Sequence, residues 1–282
     1  MRLFNVLSRC VVLRHSRLEF SSQVSPKRFY RNVWVAKGVC TADGVTETGY
    51  EVFLDKSRLR TPGGNIFSVP HEGLALAVAN EWDSQQKYIE RFTLPLTTIC
   101  SHVIDNPTER SKEVIVNGIM EYADTDTICY RIETPEELLV EQESQWGTVL
   151  DFIENRYRFR PPITTGFCLT PIPKESRDFI RRHLLSINRW GLAGLQTCVE
   201  NLKSLWLTLA MVDGFLTSQR AVKLSRLEQN FQERRWGSVE WFHEVDEVEV
   251  NTRVSAGLLV VLTSHARRTV KKKTLKGVAV TN

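Results

Sequence analysis

The hydrophobic periodicity of the chain changes near residue 70, and this change constrains the fold more than any other feature. Before it, Tyr50, Val52 and Leu54 alternate with Glu51 and Asp55, as expected of a half-buried strand. After it, apolar residues recur at spacings of three and four. The sequence therefore predicts an α+β fold, in which a small antiparallel β-rich N-terminal domain is followed by a larger all-helical C-terminal domain.

The segment before residue 70 should form four or five short strands. Phe29–Val35 is rich in aromatic and β-branched residues, which favour strands. Asp43-Gly44 marks one turn, and Thr61–Asn65 marks a stronger one. Because Ile66–Val69 follows the second turn directly, the pattern predicts a hairpin there.

The segment after Pro70 should be helical. Leu74, Ala75, Val78 and Trp82 form one face of a first helix that begins just after Pro70. A capping box is predicted at Thr134, with Pro135 at the first helical position and Glu137 three residues after the cap. The further predicted helices are Glu109–Tyr122, a long helix after Thr134 that reaches Tyr157, Lys174–Asn188, Trp190–Glu200, Leu202–Val212, Gln219–Arg235 and Glu240–Ser264.

The excess positive charge lies at the N-terminus. The formal net charge of the chain is +4, and residues 1–27 carry five basic side chains against one acidic side chain. A basic, Ser-rich, amphipathic start is typical of a mitochondrial transit peptide. The predicted division is a transit peptide at 1–27, a β-rich domain at 28–70, a helical domain at 71–265 and a basic, flexible tail at 266–282.

The remaining body has no net charge and shows no motif for cofactor chemistry. Its neutrality disfavours general binding of nucleic acid or an anionic membrane. The six cysteines lie about thirty or more residues apart, without a Cys-x-x-Cys pair, and the sequence contains no phosphate-binding glycine loop or nucleophile elbow. The longest apolar runs, Leu205–Val212 and Val254–Ser264, are too short to cross a bilayer. We therefore expect neither an enzyme nor a bound metal or cofactor, and no transmembrane segment.

Two other features leave alternative functions open. Asp124 and Asp126 could hold a divalent cation for a phosphate-processing enzyme, but a turn in which they bond the local backbone is favoured. The basic run Arg267–Lys276 could make the protein a mitochondrial RNA- or membrane-surface-binding protein. A solvated helix end, where cations interact favourably with the helix dipole, is the favoured interpretation of that run.

Tryptophans beside carboxylates are the strongest candidates for protein recognition. Trp82 lies between Glu81 and Asp83, and Trp236 precedes the pair Glu240-Trp241. Aromatic residues of this kind anchor many protein interfaces, and they anchor hydrophobic cores as often. Trp82 also continues the apolar face of the first predicted helix, which favours a structural role for it.

Seven segments, taken in order, resemble the mitochondrial F(1) complex assembly factor 2 family, the assembly chaperones of the ATP synthase catalytic head. The segments are Lys27–Tyr30, Glu81–Gln85, Leu96–Thr98, Asp105–Thr108, Asp124–Arg131, Leu224–Glu228 and Trp236–Trp241. Two departures are Gln229, where a second Glu is expected, and Glu244, where Asp is usual. The ordered combination carries the resemblance, since no single segment is specific.

The resemblance implies a monomeric chaperone of the mitochondrial matrix. It implies binding to the unassembled alpha subunit of the ATP synthase head, protection of that subunit from aggregation, and its transfer to the beta subunit, without nucleic acid. We expect the matched aromatic and acidic residues to bind the partner. They are Trp82, Asp83, Glu228, Trp236, Glu240 and Trp241.

Overall fold

A computed structural model describes residues 25–42, 45–166, 170–237 and 242–265 of the chain. Strand β1 (Val33–Ala42) pairs antiparallel with β2 (Val45–Leu54) along the full length of both. The short strands β3 (Ser57–Arg58) and β4 (Ser68–Val69) also pair antiparallel with β2. Because β1 occupies one edge of β2 completely, β3 and β4 pair with successive parts of its other edge.

The turn predicted at Thr61–Asn65 is present and is held by a distant helix. The Thr61 N–H donates to the Asn65 carbonyl at 3.0 Å, and the Gly64 N–H donates to the Thr61 carbonyl at 2.9 Å. Asp105 accepts hydrogen bonds from the Gly63 N–H at 2.8 Å and from the Asn65 side-chain amide at 2.9 Å. These contacts fix the hairpin loop against the helical part of the chain.

Helices follow the sheet. They are α1 (Glu72–Asp83), α2 (Pro95–Asp105), α3 (Lys112–Asp124), α4 (Glu136–Tyr157), α5 (Lys174–Ser186), α6 (Arg189–Leu202), α7 (Leu205–Val212), α8 (Ser218–Ser225), α9 (Leu227–Trp236) and α10 (Phe242–His265). Single 3-10 turns lie at Arg91–Thr93 and Thr127–Cys129. The predicted fold class, a small antiparallel sheet followed by a larger helical region, is confirmed.

Three local predictions were wrong. Helix α2 was not predicted at all, although Pro95 occupies its first position, where proline is favourable. The predicted capping box is absent, because α4 begins one residue late with Pro135 as its N-cap and without a side-chain capping bond. The helix predicted over Gln219–Arg235 is two helices, divided at Arg226, whose buried side chain pairs with Asp246 of α10.

The described residues form two hydrophobic cores. The sheet packs on α1 and α2, around Phe67, Leu74 and Val78, and receives Trp190 of α6 and Val260 of α10. The second core is made by α3 to α8 with parts of α9 and α10, and its largest buried side chains are Trp146 and Trp206. The core that contains the strands also includes residues of α1, α2, α6 and α10, and the domain boundary at residue 70 stays a prediction.

Helices α6 and α10 join the two cores by a close crossing. A Cβ atom on Gly194 would lie 2.5 Å from the Gly257 carbonyl oxygen and 2.9 Å from a methyl group of Val261. A Cβ atom on Gly257 would lie 2.7 Å from the Cys198 sulfur. Only glycine at both positions permits this separation of the helix backbones. Within the described chain, no helix is both long enough and apolar enough to span a membrane.

Candidate functional site

The acidic–aromatic segment at the end of α1 contributes largely to the fold. The Glu81 carboxylate accepts hydrogen bonds from the Leu96 N–H at 2.7 Å and the Thr97 N–H at 2.9 Å. It also accepts one from the Thr97 hydroxyl at 2.8 Å. Burial raises the pKa of Glu81, while these hydrogen bonds act to lower it. Glu81 therefore caps the N-terminus of α2, whose first N–H groups have no partner inside that helix.

Trp82 and Asp83 hold the chain segment that precedes β1. The Trp82 indole N–H donates to the Thr97 hydroxyl at 3.1 Å, and the Trp82 carbonyl accepts from the Tyr30 hydroxyl at 2.6 Å. Asp83 pairs with Arg28 at 3.1 Å, and the Arg28 guanidinium lies 4.7 Å from the centre of the Tyr30 ring. Trp82 is half-buried against the sheet core, whereas the Asp83 side chain remains 63% exposed. Of Trp82 and Asp83, only Asp83 has most of its side chain exposed to solvent.

Glu228 on α9 lies at the end of a buried polar network. The Gln142 side-chain amide donates to the Glu228 carboxylate at 2.7 Å, and its oxygen accepts from the Ile132 N–H at 3.0 Å. Burial raises the pKa of Glu228, while the hydrogen bond from Gln142 and the positive charge of Arg131 lower it. One half-buried carboxylate is thus positioned at the surface of the helical core.

Arg131 and Gln142 complete this network, and sequence reasoning did not single them out. Arg131 is buried, donates to the Ile128 carbonyl at 2.7 Å, and lies 5.2 Å from the centre of the Trp146 ring. Gln142 is fully buried. The signal available in the sequence was the segment ending at Arg131, which is one of the seven that carry the family resemblance.

Trp236 is the most exposed tryptophan among the described residues. Its side chain is 74% exposed at the last position of α9. The helix ends at Gly237, which has a φ of +89° and donates its N–H to the Glu233 carbonyl. Glycine adopts this conformation without the strain that a side chain would impose. The remaining two candidates, Glu240 and Trp241, lie outside the described residues.

The candidate residues fall into two groups. Trp82 and Asp83 belong to the part of the chain built on the sheet core. Glu228 and Trp236 lie on α9, which is anchored through Leu227 in the helical core. The α9 group presents an exposed aromatic side chain and a half-buried carboxylate, a combination suited to recognition of another protein.

The alternative carboxylate pair does not form a metal site. Asp126 is fully buried and accepts hydrogen bonds from the N–H groups of Leu205 at 2.7 Å and Trp206 at 3.1 Å. Asp124 instead pairs with Arg177 at the surface. The two carboxylates thus have different partners, and the described part of the chain contains no group of three or more His, Cys, Asp or Glu that could hold a metal ion. The turn interpretation is confirmed for Asp126, which also accepts a hydrogen bond from the Ile128 N–H at 3.2 Å, but the partner of Asp124 is the distant Arg177 and not the local backbone.

Comparisons with known proteins point to one family. The model of the family described as "ATP12 chaperone protein" matches residues 27–154. "Protein atp12, mitochondrial" of Schizosaccharomyces pombe is 30% identical over 249 residues, which cover 84% of this chain and 83% of that protein.

Solved structures share the architecture. Atp12 from Paracoccus denitrificans is 29% identical with a TM-score of 0.73, over 85% of this chain and 98% of that one. A protein from Agrobacterium tumefaciens is 27% identical with a TM-score of 0.73, over 84% of this chain and 86% of that one. The likeness therefore spans both the sheet and the helical region.

Proposed function

Because the chain belongs to the ATP12 chaperone family, we propose that it binds the unassembled alpha subunit of the mitochondrial ATP synthase head. In this role it prevents aggregation of the alpha subunit and transfers it to the beta subunit. The relationship over 84% of the chain carries the proposal. Family membership, which confirms the resemblance found in seven sequence segments, makes the protein a chaperone and not an enzyme.

The physical basis is the protection of an apolar surface. A subunit that is built to bury one face against a neighbour exposes that face before assembly, and such a face promotes aggregation. A chaperone that covers this face needs neither ATP nor a catalytic group. Release follows when the beta subunit competes for the same surface.

We place the main contact on α9 and the segment that follows it. Trp236 supplies exposed apolar area, and Glu228 supplies a carboxylate that selects a basic group on the partner. Glu240 and Trp241 extend the same contact in this proposal. Asp83 is a second, peripheral contact, while Trp82 supports it by packing against Tyr30.

The proposed location is the mitochondrial matrix, where the protein acts as a monomer. The fission yeast relative is a mitochondrial protein by its name. The basic, Ser-rich composition of residues 1–27 supports import through a cleaved presequence.

The test is an aggregation assay with purified alpha subunit. Light scattering of the alpha subunit should fall when an equimolar amount of this protein is present, and the complex should dissociate when the beta subunit is added. Trp236→Ala should weaken binding about thirtyfold, since truncation of a residue that dominates an interface costs about 2 kcal/mol or more. Phe179→Ala, which removes an aromatic side chain 47% exposed on α5, is the matched control and should leave binding unchanged.

Two results would count against the proposal. One is undiminished aggregation of the alpha subunit at a stoichiometric amount of this protein. The other is simultaneous binding of this protein and the beta subunit to one alpha subunit without competition. Capture of RNA or anionic lipid at low salt alone would favour the basic-tail alternative, because phosphate-led binding weakens steeply with salt.

A further inference from the structure

A second surface of the molecule has the chemistry of a binding groove. A groove with a volume of about 460 Å³ lies between α2 and α6, and residues of the 3-10 turn before α2, of the start of α3 and of α10 also line it. Its apolar lining consists of Pro95, Ile99, Val103, Ile115 and Ala193. Phe92, whose side chain is 78% exposed, stands at the rim.

The lining is strongly cationic. Arginines at positions 91, 110, 189 and 253 line the groove together with His102, and Glu200 is the one carboxylate in the lining. The Gln196 amide donates to Glu200 at 2.7 Å, and Arg253 pairs with Glu249 one turn earlier on α10. The Arg189 guanidinium donates to the Arg110 backbone carbonyl at 3.1 Å, which links the start of α6 to the loop before α3.

This local charge contrasts with the rest of the folded body. Residues 28–265 carry 26 basic and 32 acidic side chains, so a groove with four arginines and one carboxylate is a local concentration of positive charge. Arginine binds carboxylates in a bidentate geometry, and such pairs favour anionic partners and exclude cationic ones. The apolar lining adds a requirement for an aliphatic or aromatic side chain in the same ligand.

We propose that this groove, lined by Arg91, Arg110, Arg189 and Arg253, binds an acidic segment of the client protein that carries an apolar side chain. The carboxylates of the segment pair with the arginines, and its apolar side chain packs on Ile99 and Val103 beside Phe92. A protein segment fits better than a phosphate or a nucleic acid, because the groove is larger than one anion and much of its lining is apolar. The proposal rests on the chaperone function proposed above.

The groove also has a defined place in the fold. Helix α2 packs in the sheet core, Ile115 of α3 belongs to the helical core, and α6 and α10 contribute to both. An occupant of the groove would therefore touch elements of both cores at once. It would give the chaperone a second contact with its client, separate from the one on α9.

The test is charge reversal in the groove with the full-length protein and purified alpha subunit. The double variant Arg91→Glu/Arg110→Glu changes two exposed side chains and should slow association about tenfold or more at low salt, with a smaller effect at high salt. Lys174→Glu/Arg182→Glu, on exposed positions of α5, makes the same change in net charge and is the matched control. The control should change the association rate by less than about twofold.

A photo-crosslinking amino acid in place of Phe92 gives an independent measurement. The crosslinked peptide of the alpha subunit should contain at least two acidic residues and an apolar residue. Thermal unfolding followed by circular dichroism checks that both double variants fold like the original protein.

The outcomes separate this proposal from the one on which it rests. If the original protein binds the alpha subunit and the groove variant associates with it as fast as the control variant does, the groove proposal fails while the chaperone function stands. If the original protein does not bind the alpha subunit, both fail. Crosslinking of the Phe92 position to a basic or uncharged segment, or to RNA, would overturn the groove proposal even if the double variant binds more slowly.

Discussion

Replacing Asp126 by alanine should be among the most destabilising single substitutions in the chain. The carboxylate lies between two segments far apart in sequence, and it accepts hydrogen bonds from the N–H groups of Ile128 at 3.2 Å, Leu205 at 2.7 Å and Trp206 at 3.1 Å. Alanine leaves these donors without their acceptor in a fully buried site. Since each buried N–H group left without an acceptor costs about 1–3 kcal/mol and such losses are not additive, we expect a loss of about 3–5 kcal/mol.

The measurement is urea denaturation followed by circular dichroism. At a slope of about 2–3 kcal/mol per molar urea, the midpoint of Asp126→Ala should fall by about 1–2 M. Asp124→Ala is the matched control. Asp124 lies two positions before Asp126 in the sequence, is half-exposed and pairs with Arg177 at the surface. An exposed ion pair contributes about 1 kcal/mol or less. Equal midpoints for the two variants would refute the assignment of Asp126 as the link between the Thr127–Cys129 turn and α7.

The remaining predictions concern pH, helix packing and helix capping. Burial raises the pKa of Asp126 to about 7, against four opposing hydrogen bonds, so the folded chain holds this proton more tightly than the unfolded chain. The stabilisation that protonated Asp126 provides is complete below about pH 4 and is lost as the pH rises to about 7. The free energy of unfolding of the original protein should therefore fall relative to that of Asp126→Ala across this interval. Parallel curves for the two proteins would contradict the raised pKa of Asp126. Gly194→Ala should lower the free energy of unfolding by about 1–3 kcal/mol, because the new methyl group meets the Gly257 carbonyl. Gly147→Ala, with open space on α4, should raise it by up to about 1 kcal/mol, and urea denaturation measures both. Glu81→Ala should lower the free energy of unfolding by about 1–2 kcal/mol in a urea titration, because it removes the acceptor that caps α2. An unchanged free energy of unfolding would show that the N–H groups of Leu96 and Thr97 do not depend on Glu81.

Local patterns were sufficient to place a sheet before helices, although not to find every helix. The alternation through Val52 and Leu54 predicted β2, and the stripe from Leu74 to Trp82 predicted α1, because both elements bury one face of a regular repeat. Helix α2 escaped prediction since its cap, Glu81, lies fourteen residues before Pro95 on another helix. The break at Arg226 escaped it for the same reason, because the partner Asp246 lies on α10.

The candidate site also combines features that the sequence predicts with features that only the structure shows. Sequence reasoning selected Trp236 and Trp82 by one pattern, a tryptophan near carboxylates, and favoured a structural role for Trp82 because it continues the apolar face of the first helix. In the structure Trp236 is exposed, whereas Trp82 packs against Tyr30 and bonds Thr97. Exposure depends on which distant segments cover a side chain, so the pattern of a tryptophan beside carboxylates does not by itself specify it.

The sequence by itself determined the strand and helix repeats, the order of a sheet before helices, and the family. These properties depend on neighbouring residues or on ordered segments, both of which are present in the linear chain. Tertiary structure alone decided that Asp126 bonds Leu205, that Gly194 meets Gly257, and that arginines separated by up to 162 positions in the numbering, from Arg91 to Arg253, line one groove. The physical reason is that burial and charge density arise from side chains brought together by packing, whose partners no local repeat specifies.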